Sequence, residues 1–168
     1  VAGFAIYGVA LVATFGFSAG YHLIGRPKLK KVFRRLDHVA IFLMIAATYT
    51  PFVLIKMDNA WGLGLLAVVW AIAAIGIAIK LFLPRFVDGL SRALYLVQGW
   101  AVLVAWEPLQ SALPATALRL LMVGGVLYTV GVVFHLWNQL PYQNAIWHGF
   151  VLSAASCHFT AVIGLVPI

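Results

Sequence analysis

The stretch Ser18–Asp37, SAGYHLIGRPKLKKVFRRLD, decides how this chain is read. A hydroxyl at Ser18 and an imidazole at His22 stand one helical turn apart, at the end of an apolar run that begins at Val1. Six cations follow, Arg26, Lys28, Lys30, Lys31, Arg34 and Arg35, with no acid among them, and Asp37 then opens a second apolar run. An apolar run, a basic connection and another apolar run form the pattern of a chain that crosses a bilayer and leaves its Lys and Arg on the cytoplasmic side.

Composition extends that pattern to the whole chain. At 64% hydrophobic and 9% charged residues, with a mean hydropathy of +1.05, it lies outside the range of a water-soluble domain. A bilayer core of roughly 30 Å takes about 20 apolar residues per helix, so the length accommodates about six spans. The short alternating segments of a membrane β-barrel are absent, and the expected class is an all-α polytopic membrane helix bundle. The net charge of +7 does not point to nucleic acid, because nine of the eleven Lys and Arg fall in two connections, 25–36 and 80–92. Cys157 is the only cysteine, which excludes an intrachain disulfide, and it reads as a packing residue within an apolar run.

The predicted spans are 1–24, 38–55, 62–82, 93–106, 117–137 and 144–166, forming one transmembrane domain over 1–168. Gly25, Arg26 and Pro27 stop the first, and Pro51 is expected to kink the second or to end its regular part. Lys56, Asp58 and Asn59 make an outer turn with Trp61 at the interface. Glu107, Pro108 and Pro114 mark an outer loop with room for an interfacial segment, and Gln139–Gln143 form the third inner loop. Loops 25–36 and 80–92 then lie in the cytoplasm and both termini outside. Trp61, Trp106, Trp137 and Trp147 read as interfacial belt residues. Gly124, Gly125 and Gly131 allow close helix approach, within the bundle or in a homo-oligomer. No cleavable signal precedes the first run and no initiator Met is present, which leads us to expect a segment before Val1.

Polar groups at membrane depth are costly and therefore informative. In this topology Ser18, His22, Asp37, His38, His135, Asn144 and His148 gather near the cytoplasmic face. Ser18 shares a helix face with His22, and Asn144 with His148. His158 lies about 15 Å deeper than His148 and is turned away by roughly 80°. Imidazole is a common metal ligand, and a carboxylate completes or orients such a site. Two or three histidines around zinc, with Asp37 and Ser18 nearby and one position open, would activate water. The alternative for any single histidine is an interfacial hydrogen bond. His38 reads as structural, and His158 as a link between helices.

The ordered set of Ser18-x-x-x-His22, a basic loop, Asp37, LMIAATYTPFVL, GGVLYTVGVVF and AIWHGFVLSAASCHF resembles the bacterial hemolysin III family, related to the progestin and adiponectin receptors. The resemblance covers nearly the whole chain. It implies a seven-helix membrane fold whose first helix is missing here, set in the bacterial inner membrane. It also implies zinc near the cytoplasmic side, with His22 and His148 as ligands and Ser18 and Asp37 around the metal. The family's H-x-x-x-H motif reads Asn144-x-x-x-His148 in this chain, so an amide replaces one expected ligand, and His135 is the candidate substitute.

Four functions compete on these grounds. The first is a zinc-dependent, ceramidase-like hydrolase of a lipid amide or ester, with membrane lipids as its partners. The second is a pore-forming, haemolytic protein, although no polar stripe along a whole helix is evident from the sequence. The third is a regulator of membrane lipid homeostasis with a structural metal site. The fourth is a haem carrier, which Soret absorption would reveal.

Overall fold

Residues 1–83 and 88–166 are described by the computed structural model, and every regular element among them is a helix. These are α1 (Ala2–Leu23), α2 (Pro27–Lys56), α3 (Ala60–Phe82), α4 (Asp88–Trp100), a 3-10 segment (Ala101–Ala105), α5 (Trp106–Ala112), α6 (Ala115–Leu136) and α7 (Gln143–Ile163). The all-α membrane class holds: α1, α2, α3, α6 and α7 are each long and apolar enough to cross a bilayer. The chain divides into two units, Val1–Pro108 and Leu109–Ile168.

Three boundaries differ from the sequence expectation. The connection 25–36 is not a loop, because α2 begins at Pro27. Proline suits the first helical position, and the Lys, Leu and Arg residues that follow are good helix formers. Pro51 does not end the regular part of α2, which continues to Lys56. The Thr48 and Thr50 hydroxyls donate to the carbonyls of Met44 and Ala46 at 2.8 and 3.0 Å, and Trp70 Nε1 on α3 donates to Thr50 Oγ1 at 3.3 Å.

The fourth predicted span, 93–106, is not one α-helix. α4 starts at Asp88, ends at Trp100 and passes into the 3-10 segment. Of the basic connection 80–92, Lys80 belongs to α3 and is buried, Arg92 lies within α4, and Arg85 falls outside the described residues.

In the first unit α2 is the central helix, buried over most of its apolar length, whereas only Gly3, Tyr7 and Ala10 of α1 are buried. Gly76 of α3 leaves the space that the Phe42 ring occupies. Asn59 caps α3 by accepting from Gly62 N–H at 2.9 Å. α4 is tied to α2 and α3 by polar bonds: Tyr95 Oη donates to the His38 carbonyl at 2.9 Å, and Gln98 Nε2 donates to those of Phe42 and Val69 at 3.1 and 3.2 Å. Without competing water, such bonds help specify how helices pair.

The second unit is built on the α6–α7 hairpin. Phe134 and Phe150 stack at 5.1 Å, Gly131 admits Trp147 and Phe150, and Gly124 admits His158. Gly124 and Gly131 therefore serve close packing within the hairpin. Trp147 packs in the same seam and is half-buried, whereas Trp61 and Trp137 are exposed.

Candidate functional site

Ser18 and His22 on α1 and Asp37 on α2 belong to the first hairpin. Its register follows from paired contacts. Lys30 Nζ lies 5.6 Å from the Tyr21 ring centroid, and Phe33 fills the space beside Gly20 while meeting Phe17 edge-on at 6.4 Å. Thr14 Oγ1 reaches the Ala40 carbonyl at 3.3 Å, and Gly3 abuts Pro51. By these pairs Asp37 stands level with Gly16, close to the depth of Ser18, and His22 lies roughly 9 Å nearer the connection.

The expectation that His22 and Asp37 share one depth is thereby corrected. Because α2 starts at Pro27, the carboxylate stands nearly three turns inside the helix rather than at its opening. The α1 residues facing α2 are Gly3, Thr14, Phe17, Gly20 and Tyr21, which leaves Ser18 and His22 on the flank of that stripe. His22 is exposed, and Ser18 and Asp37 are half-buried.

Sequence reading missed the groups that tie α4 to the turn after Asp37. Tyr95 and Gln98 bond to carbonyls of His38 and Phe42, the turn that follows Asp37. Gln98 and Ser91 are fully buried. The available signal was polar spacing: Ser91, Tyr95 and Gln98 fall at i, i+4 and i+7, one helix face.

In the second unit His135 lies in the α6–α7 seam, its ring 5.1 Å from that of Trp147, and its carbonyl accepts from Gln143 Nε2. The facing pairs Phe134–Phe150 and Gly124–His158 place His148 level with Phe134 and His135. Asn144 is exposed in the first turn of α7, about 6 Å along the axis from His148. His135, not Asn144, therefore shares the depth of His148. His158 is a link between helices, as expected: Nε2 donates to the Leu121 carbonyl at 3.2 Å, and the ring lies beside Gly124 and 5.6 Å from the Tyr128 ring. Within each unit, among the described residues, no three His, Cys, Asp or Glu side chains form a group able to hold a metal.

These features define a polytopic helical membrane protein in which each hairpin carries histidines close to its connection. The chain belongs to the Haemolysin-III related family, whose pattern matches residues 1–159. Hemolysin-3 of Bacillus cereus is 43% identical to it over 163 residues, covering 97% of this chain and 74% of the relative. The Hemolysin-3 homolog of Bacillus subtilis (strain 168) is 38% identical over 97% of this chain and 76% of its own length. Human Monocyte to macrophage differentiation factor is 27% identical over 94% of this chain and 67% of the relative, in keeping with the wider superfamily that the motifs resemble. No solved structure matches the chain.

Proposed function

We propose that this protein is an intramembrane hydrolase of a lipid amide or ester, with zinc held by His22, His148 and His135. The observation that carries the reading is the position of His135 at the depth of His148 in the second hairpin. Imidazole suits zinc, whereas the Asn144 amide is a poor ligand for a borderline-soft cation, so His135 takes the place the family motif gives to a histidine at 144.

When bound, zinc supplies Lewis acidity toward the scissile carbonyl and toward water. The chain's own residues do the rest. The Asp37 carboxylate takes a proton from the attacking water and returns it to the leaving amine or alcohol. The Ser18 hydroxyl donates a hydrogen bond to the carbonyl oxygen as charge develops there. Tyr95 and Gln98 fix the turn after Asp37 and so its position.

Two measurements on the purified protein test this. Elemental mass spectrometry should find about one zinc per chain, lost in His22→Ala and in His148→Ala. Lipid-amide hydrolysis should vanish in Asp37→Ala while its zinc content is kept. A folded wild type without zinc overturns the metal assignment, and unchanged turnover in Asp37→Ala overturns the role of the carboxylate.

The relatives named Hemolysin-3 carry a second reading, permeabilisation of membranes. Dye release from liposomes, abolished by substitution inside the bundle, is the result that would favour it. The polar face of α4 is taken up by helix packing, since Tyr95 and Gln98 donate to carbonyls of neighbouring helices. A regulator with a structural metal would instead lose thermal stability on zinc removal, with no turnover to lose.

A further inference from the structure

The first three turns of α2 carry Lys28, Lys30, Lys31, Arg34 and Arg35, all exposed. At 100° per residue these five fall within an arc of roughly 160°. Leu29 and Val32, 43% and 51% exposed, occupy the remaining surface together with half-buried Phe33 and Leu36. Phe33 is seated against Gly20 and Phe17, which fixes the rotation of the helix. Lys30 at the edge of the arc lies over Tyr21, and the other cations turn away from α1.

Two properties of this face point to an anionic occupant. The first is electrostatic: the first turn of α2 holds no acid and Arg26 provides no side-chain cap, so the cations crowd the positive end of the helix dipole and repel it. A helix with this charge distribution is stabilised by anions beside its start. The second is position. α2 is about 45 Å long and exceeds a hydrocarbon core of roughly 30 Å by about the length of this basic segment. The cations are therefore held beyond the hydrocarbon core, at headgroup level.

We propose that this face binds the headgroups of anionic phospholipids, whose phosphates neutralise the start of α2. The proposal is independent of the hydrolase reading, since it uses neither the zinc ligands nor Asp37. A membrane-anchored phosphate matches the position of these cations as well as their charge, and a free anion in water matches the charge alone.

The test is thermal unfolding of the full chain in mixed micelles containing phosphatidylglycerol or phosphatidylcholine, with inorganic phosphate as a third condition. Phosphatidylglycerol raises the melting temperature of the wild type, phosphatidylcholine does not, and added salt weakens the effect. In the variant Lys28→Gln/Lys31→Gln/Arg34→Gln/Arg35→Gln the lipid-specific shift disappears. Its melting temperature in phosphatidylcholine is no lower than that of the wild type, because repulsion at the helix start is relieved. Should that variant fail to fold, Lys28→Gln/Lys31→Gln gives the same readout with fewer changes.

Lipid retained through extraction into nanodiscs provides a second measure. The ratio of phosphatidylglycerol to phosphatidylcholine falls at least about five-fold in the variant, the effect of a single cation near an anionic surface, and is unchanged in Arg119→Gln. A lipid-specific shift that survives charge removal overturns the proposal. So does a wild type indifferent to lipid charge, or a shift that inorganic phosphate reproduces at equal concentration.

Discussion

The hydroxyl of Tyr49 on α2 stands between the Gly99 carbonyl oxygen, 2.7 Å away, and the main-chain nitrogen of Val102, 3.0 Å away, where α4 gives way to the 3-10 segment. It donates to the first and accepts from the second, so one side chain satisfies both backbone groups at the change of helical pitch. Tyr49→Phe keeps the ring and removes both bonds, together with the hydroxyl's longer contact to the Gln98 carbonyl at 3.1 Å. We expect a loss of about 1–2 kcal/mol, read as a lower melting temperature in detergent, and an unchanged melting temperature would show that water takes over the hydroxyl's role.

Gln98 reaches two helices from a third. Its amide nitrogen bonds to both the Phe42 and Val69 carbonyls, which also settles the orientation of the amide, since the flipped form would set oxygen against oxygen. Gln98→Leu preserves bulk and should cost about 0.5–2 kcal/mol. If hydrolysis is present, it should also lower turnover by loosening the turn after Asp37, with zinc content unchanged. Equal loss of zinc and turnover would place Gln98 outside that positioning role.

The contact between Gly124 and His158 predicts a compensating pair. A methyl group at 124 would meet the His158 ring, whose Nε2 is held by the Leu121 carbonyl. Gly124→Ala should destabilise by about 1–3 kcal/mol, and adding His158→Ala should recover part of that loss. A double variant as destabilised as the sum of the two single variants would refute direct contact as the cause.

His135 offers the sharpest test of the metal assignment. Zinc content should fall in His135→Ala to the extent it falls in His22→Ala, whereas Asn144→Ala should leave it unchanged. The reverse pattern would return the amide to the ligand set.

Most of the fold was legible because membrane helices announce themselves through runs of apolar residues, and α1, α3, α6 and α7 lie within a few residues of their predicted bounds. α2 and α4 were less legible, for opposite reasons. In α2 the cations of Lys28–Arg35 resembled a loop by hydropathy, although their helix propensity and Pro27 at the first position allowed the helix to continue beyond the bilayer. In α4 hydropathy promised one uniform span, whereas the chain passes into 3-10 geometry where a hydroxyl about fifty residues earlier bonds its backbone.

The candidate site divides in the same way. Residue types alone picked out Ser18, His22, Asp37, His135 and His148, since ionisable groups are costly in a span and seldom kept without a role. Their depths followed only from packing: Phe33 on Gly20 sets Asp37 level with Gly16 rather than His22, and Phe134 on Phe150 sets His135 level with His148. The sequence by itself determined that this is a helical membrane protein of the haemolysin III family with histidines near its helix ends, because burial in lipid demands long apolar helices. The tertiary structure alone decided which residues of α4 hold α2 and which histidine shares the depth of His148. Helix register is set by side chains meeting across a seam, and no single helix carries that information.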